Sequence, residues 1–278
     1  MAKSFQTEPR DPKNTLLVDS LNIAFRWKHA GNDYDMPVSY PQTIRSLAKS
    51  YNCGQIILLG DGGSSWRKAL HPDYKTTRRK KHENDTEAEK KASEEFFAYY
   101  HQTMKECNLP YLKYDGVEAD DLAAYIVENK YALDINEIWL ISSDKDWDLL
   151  IEEDVSRFST VTRKETTYDN WSYPVDIETY IDFKTLVGDK GDDVPGVDGI
   201  GEKRAAAIIE QYGSIFDLIG NLPLDGTAKY IQNLNASAEK MYLSHQLMDL
   251  RSYCREAIGD KLEEFNNDLA AIYGREIT

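Results

Sequence analysis

Three short apolar runs in this chain each lead into a carboxylate, and that recurrence constrains the fold more than any other feature. Residues 15–18 run into Asp19, residues 55–60 into Asp61, and residues 137–141 through two serines into Asp144 and Asp146. Apolar runs of about 4–8 residues bounded by polar ones read as buried strands. Between the first two, Ile44, Leu47 and Ala48 recur at helical spacing within residues 39–51. Strand, helix and strand in that order imply a parallel sheet with right-handed crossovers. Ligands of such sheets sit beyond the carboxyl ends of the strands, where Asp19 and Asp61 fall.

A denser acidic stretch, Val117-Glu118-Ala119-Asp120-Asp121, opens an amphipathic run through Leu122, Ala123, Tyr125, Ile126 and Val127. Acids favour a helix N-terminus, each by about 0.3–1 kcal/mol against the macrodipole, and for this stretch alone that explanation would suffice. It does not explain acids at strand ends. Glu118 and Asp121, three apart, share one face of a helix that begins here. Asp189 and Asp192, in a glycine-rich loop, extend the set. Unneutralised, so many carboxylates in one cleft would repel one another and raise their pKa values. Hard divalent cations remove the conflict, and oxygen-only ligation suits magnesium or manganese rather than zinc. None of the five histidines has metal-ligand spacing beside these acids. Two such ions about 4 Å apart would activate water and stabilise the attacking and leaving oxygens of a phosphodiester.

A net charge of −15 argues against a polyanionic partner, but it hides an asymmetry. From residue 67 to 81 the chain carries Arg67, Lys68, Lys75, Arg78, Arg79, Lys80 and Lys81 against Asp73 alone. Tyr74 lies among them, an aromatic able to stack on a base. A solvated basic loop and a nucleic-acid contact both fit that stretch. The sequence from Gly196 through Val197, Gly199, Ile200 and Gly201 to Lys203 and Arg204 is a second sharp signal. Glycines in a tight turn let backbone amides approach a phosphate, and a helix beginning near Gly201 aims its free N–H groups at it. With the basic pair, it resembles the helix-hairpin-helix family of duplex-backbone binders, a mode without sequence preference.

Elsewhere, Thr86-Glu87-Ala88-Glu89 has the capping-box pattern of a helix start. Phe96, Phe97, Tyr100 and Met104 then form one apolar face, so this helix, charged through Lys90 and Lys91, projects before it packs. A third strand is expected over 111–114, a hairpin over 157–162 and 165–168, and helices from Asp176 and over 239–250. A composition shift near Gly188 marks a boundary between an α/β body and a helical C-terminal part. Cys53, Cys107 and Cys254 have no paired spacing, which implies a reducing compartment and no disulfide framework. Residues 1–14, polar and broken by prolines, read as a frayed leader rather than a secretion signal or anchor. No apolar run approaches the roughly 20 residues of a membrane helix.

In order, VDS, GDGG, DYKTTRRKK, GVEADD, SSDKDWD and GDKGDDVPGVDGIGEKR resemble the 5′-nuclease superfamily, most closely its stand-alone bacteriophage 5′-3′ exonucleases that act as flap endonucleases. The resemblance spans residues 15 to 235. It implies a PIN-like (Rossmann-like) α/β core over 1–187, mostly parallel and flanked by helices, with a helical arch at about 68–105. A helical region over 188–278 would carry a helix-hairpin-helix (helix-3-turn-helix) motif. By the same resemblance Asp19, Asp61, Glu118, Asp120 and Asp121 hold a catalytic metal cluster, and Asp144, Asp146, Asp189 and Asp192 complete a second metal region. Lys75 and Arg78 contact the scissile phosphate at the base of the arch, beside Tyr74, with Arg79 and Lys80 as further DNA contacts. The turn at Val197, Gly199, Ile200 and Gly201, with Lys203 and Arg204, grips the duplex and takes a potassium ion at its carbonyls. The implied activity is two-metal, Mg²⁺- or Mn²⁺-dependent cleavage of flaps and RNA primers during replication, on branched DNA with a single-stranded 5′ end. The protein would be cytoplasmic in an infected bacterium, without membrane association, and a monomer is expected. Asp193 stands where the family more often has asparagine, and Ser20 where glycine or alanine is usual.

A PIN-type ribonuclease shares the acidic parallel-sheet core but usually lacks the glycine hairpin and arch. A non-catalytic junction binder would need the hairpin alone. A haloacid-dehalogenase-type phosphatase needs a second acid two residues after the first, where this chain has Leu21.

Overall fold

The computed structural model describes residues 10–31 and 35–277, without the side chains of Ala30, Arg79 and Lys81. Residues 1–9 of the expected leader lie outside the described residues, while residues 11–14 are not frayed but begin the first strand. Strand β1 (Asp11–Asp19) is followed at once by helix α1 (Ser20–Ala30), because Asp19 ends the strand and caps the helix, accepting the Asn22 N–H at 3.1 Å. That helix was not anticipated. Helix α2 (Met36–Ser50) and strand β2 (Cys53–Leu59) complete the first crossover, and β2 pairs parallel to β1.

Helices α3 (Ser65–Leu70), α4 (Thr76–Glu83) and α5 (Glu87–Glu106) precede strand β3 (Tyr111–Leu112), shorter than the expected 111–114. Helix α5 starts with the predicted capping box between Thr86 and Glu89. Its first half is exposed, while Phe96, Tyr100 and Met104 are buried, so it projects before it packs. Helix α6 (Ala119–Glu128), strand β4 (Glu137–Ile141) and a 3-10 turn at Lys145–Leu150 follow. Strands β5 (Val155–Ser159) and β6 (Lys164–Thr166) form the expected antiparallel hairpin.

The sheet order is β3-β2-β1-β4-β5-β6, with all neighbours parallel except β6 at the edge. The strand order reverses between β1 and β4, so their carboxyl ends open the crevice in which such sheets bind ligands. Side chains alternate across the sheet. Leu17, Ile57, Leu59 and Leu140 pack with Leu122 and Ile126 of α6 on one face; Leu16, Val18, Ile56 and Leu58 pack with Ile23, Ile44 and Phe96 on the other.

Helix α7 (Tyr180–Val187) leads into a hairpin of β7 (Gly188–Asp189) and β8 (Val194–Pro195). A Cβ on Gly188 would stand 2.1 Å from the Gly196 nitrogen, and its φ of +78° is left-handed, so only glycine lets the hairpin cross here. Helices α8 (Glu202–Tyr212), α9 (Ile215–Gly220), α10 (Lys229–Asn235) and α11 (Ala238–Met248) follow, and α7 shares its core with α8 and α9 through Phe183, Leu186, Ile208 and Leu218. The helix expected over 239–250 breaks at Asp249, whose side chain caps α12 (Leu250–Ile258) by accepting the Ser252 N–H at 3.0 Å. Helices α12 and α13 (Leu262–Tyr273) return to the body, burying Leu250, Cys254, Phe265 and Leu269 in the core of α6. All three cysteines are free and buried. Among the described residues no helix is long and apolar enough to cross a membrane.

Candidate active site

The expected acids converge on the carboxyl edge of the sheet. Asp19 ends β1, Asp61 follows β2, Asp144 and Asp146 follow β4, and Glu118 and Asp120 come from the start of α6. The loop carrying Asp61 is pinned by close backbone approach: Gly62 donates to the Val117 carbonyl at 2.8 Å, and a Cβ on it would meet the Tyr114 carbonyl at 1.8 Å. A cleft of about 830 Å³ continues from these acids along Asn22, Asp144, Asp146, Lys184 and Asp189.

The electrostatics show crowded carboxylates that nearby cations offset only in part. Burial, reinforced by the charges of Asp144 and Asp61, pushes the Asp19 carboxyl up to about 7, against hydrogen bonds from the Asn22 N–H and the Ser142 hydroxyl. Burial and then Asp144 push Asp120 well above the usual carboxylate range, although its Oδ1 accepts the Trp147 indole N–H at 2.6 Å. Burial and then Asp146 raise the Asp144 carboxyl as well. Carboxylates that resist ionising together fit divalent cations, and the donors are all oxygen. Among the described residues no three acids already form a cage for an ion. Protein cations stand between them instead. The Lys75 ammonium contacts Glu118 and lies 3.5 Å from Asp192, while Lys184 contacts Asp146 and lies 3.9 Å from Asp189. Burial opposes the charge on Lys75, but Glu118, Tyr74 and Asp192 more than offset it and hold its pKa above the usual lysine range.

Lys75 adopts a left-handed φ of +55°, a conformation rare for a residue with a Cβ and concentrated at functional positions. From the first turn of α4, Arg78 reaches Asp192 at 2.6 Å. Lys80 is exposed on the same helix, and the Arg79 side chain lies outside the described set. On the C-terminal side, Gly201 precedes α8 in extended backbone, and Lys203 and Arg204 are exposed in its first turn. The Arg204 guanidinium donates to the Gly199 carbonyl at 2.6 Å and covers the Tyr230 ring at 4.7 Å. Val197 and Ile200 bury their side chains and leave their backbone to form the turn. The carbonyls of Val197, Asp198 and Gly199 each accept a protein hydrogen bond, so a potassium ion would use their remaining lone pairs.

Two sequence expectations change. Tyr74 is 5% exposed, and its hydroxyl donates to Glu118 and Asp192 at 3.2 Å, so its ring is closed to a base. Arg67, counted with the surface cations, is 2% exposed and points inward. It binds both oxygens of Asp121 and one of Glu118, so both acids are held by one buried guanidinium. Sequence reasoning also missed Lys184 and Trp147. The inward cations were hidden because a basic run reads as solvated face whichever of its members turns inward.

A carboxylate-lined switch point beneath a cationic helix, with a glycine turn and helix alongside, defines a nuclease. The chain belongs to the 5′-3′ exonuclease family: residues 14–174 match its N-terminal resolvase-like domain and residues 175–268 its C-terminal SAM fold. It is 42% identical over 278 residues to the flap endonuclease of Escherichia phage T5, covering 96% of this chain and 95% of that protein. A pseudo-enzyme–product complex of the T5 flap endonuclease with DNA and metal ions superposes with a TM-score of 0.88 at 42% identity, over 94% of this chain and all of the other. The T5 5′-exonuclease with bound zinc ions gives 0.87 at 43% identity, over 94% and 99% of the two chains. The protein is a structure-specific 5′-nuclease.

Proposed function

We propose that the protein is a Mg²⁺- or Mn²⁺-dependent phosphodiesterase that removes 5′ flaps and RNA primers from branched DNA in phage-type replication. The observation that carries this reading is the placement of Lys75, just ahead of α4, against Glu118 at the start of α6, and of Arg78 against Asp192 in the β7–β8 hairpin. Asp19, Asp61, Glu118, Asp120 and Asp121 would hold one ion, and Asp144, Asp146, Asp189 and Asp192 a second. Bound there, the ions would supply an activated water and stabilise charge on the phosphodiester oxygens.

The chain's own groups do the rest. Lys75, fixed by its left-handed backbone, meets the scissile phosphate, and Arg78 stabilises charge developing on its oxygens. Tyr74 supports Glu118 and Asp192 through its hydroxyl. Arg67 fixes Glu118 and Asp121 and so orients the start of α6. The amides of the turn before α8, with Lys203 and Arg204 and a potassium ion at the carbonyls, grip the duplex backbone. The single-stranded 5′ end passes beside the projecting half of α5. The protein acts as a monomer in the cytoplasm of an infected bacterium.

A 5′-labelled flap duplex, incubated with the wild type or Lys75→Ala in Mg²⁺ or in chelator, tests this. Cleavage near the junction that needs Mg²⁺ is expected, with Lys75→Ala binding the flap but cutting about 10²–10³-fold more slowly. Binding without cleavage under every metal condition would leave a junction-binding protein instead.

A further inference from the structure

Helix α4 follows Lys75 directly and carries Arg78 in its first turn, yet its own sequence is poorly suited to starting a helix. An isolated helix of this length is marginal in water. Its first turn contains no acid, and Arg78 and its basic neighbours sit toward the positive end of the helix dipole. The preceding residue, Lys75, has no acceptor with which to cap it. The missing cap comes from a residue 116 positions away. The Asp193 carboxylate accepts the Thr77 N–H at 2.7 Å and the Thr77 hydroxyl at 2.6 Å. Next to it, the Asp192 carbonyl accepts the Lys75 N–H at 3.0 Å, and the Asp192 carboxylate pairs with Arg78 at 2.6 Å. Two consecutive residues of the β7–β8 hairpin thus clasp Lys75, Thr77 and Arg78. Both sides of the clasp are left-handed, Asp193 at φ +57° and Lys75 at +55°. Aspartate and asparagine tolerate that region best among residues with a Cβ.

We propose that Asp193 is a positioning residue: by capping α4 from the β7–β8 hairpin it holds Lys75 and Arg78 over the carboxylate cleft. The inference rests on the proposed roles of those two cations. The hairpin runs directly into the glycine turn at 196–201, so one short segment both anchors the phosphate-facing cations and leads into the duplex grip. The departure from asparagine noted in the sequence is therefore conservative, since either side chain offers the acceptor.

Asp193→Gly keeps the left-handed backbone and deletes the acceptor, whereas Asp193→Asn keeps both. Hydrogen–deuterium exchange over residues 76–83 is measured without DNA, alongside single-turnover cleavage and binding of a flap duplex in Mg²⁺. For Asp193→Gly the first-turn amides should exchange about 5–30-fold faster, the factor that loss of a good cap implies, and cleavage should slow by a similar factor with flap affinity unchanged. Asp193→Asn should restore both. Unchanged exchange over 76–83 in Asp193→Gly would overturn the proposal, as would an Asp193→Asn variant as impaired as the glycine one. Slower cleavage that tracks weaker flap binding would overturn it too. The exchange arm does not depend on catalysis, so a wild type that fails to cut would refute the proposed activity while the clasp is still judged on its own.

Discussion

Arg67 holds both carboxylate oxygens of Asp121 at 2.7 Å inside the protein, and the same guanidinium reaches Glu118 at 2.8 Å and the Leu247 carbonyl at 2.8 Å. One side chain on α3 thereby ties the acidic start of α6 to the end of α11. Removing one partner of a buried ion pair strands the other charge and costs about 3–5 kcal/mol. Arg67→Ala should lower stability by about that amount in urea unfolding. Asp121→Asn should also lower stability, since it weakens the partner that meets both terminal nitrogens of the guanidinium. Stability unchanged in both variants would show that this buried cluster does not hold the start of α6.

Asp19 makes metal-free stability depend on pH in a definite direction. Burial, with the charges of Asp144 and Asp61, raises its carboxyl to about 7, whereas in the unfolded chain it titrates near about 4. The folded state therefore holds this proton more tightly. The associated stability is fully present below about pH 4 and is lost as pH rises toward about 7. Asp19→Asn keeps an acceptor for the Asn22 N–H and cannot titrate. In chelator the wild type should lose stability relative to Asp19→Asn as pH rises through that window, by about 1.4 kcal/mol per pH unit at most. A divalent cation favours the carboxylate, so Mg²⁺ binding below pH 7 should release a proton in the wild type that the variant does not release. A stability difference that is flat with pH would rule out the raised carboxyl.

These residues also show where the sequence was informative. The strands ending at Asp19, Asp61 and before Asp144 were legible because a buried parallel strand is a short apolar run; the capping roles of Asp19 and Asp144, each accepting an N–H of the helical segment that follows, were not. Helix α1 escaped notice because one residue both ends β1 and caps the helix, leaving no polar loop to signal the change. The acids Glu118 and Asp121 were correctly placed on one face, and Arg67 touches both. What could not be read was which cation of the 67–81 run turns inward, since that depends on how α3 docks against α6 and α11. Tyr74 illustrates the same loss: in sequence it neighbours cations and suits stacking, whereas in the fold its hydroxyl is spent on two carboxylates. The partnership of Asp193 with Thr77 spans 116 residues and has no local signature.

Lys203 and Arg204 share the first turn of α8 but should contribute differently to duplex binding. Lys203 is exposed and acts as a point charge, so Lys203→Ala should weaken binding about equally on all sequences and reduce the slope of log affinity against log salt by about 1. Arg204 also donates to the Gly199 carbonyl at 2.6 Å and covers the Tyr230 ring, so it braces the turn proposed to grip the duplex. Arg204→Ala should therefore cost more affinity than one released counterion explains, and the excess should persist at high salt, where screened contacts fade. Arg204→Lys restores the charge without the planar fork and should recover the salt slope but not the excess. Flap-duplex binding titrated across a salt series in Ca²⁺ or chelator, so that no cleavage intervenes, measures all three. Equal losses with equal slopes for the two alanine variants would show that Arg204 acts only as a surface charge.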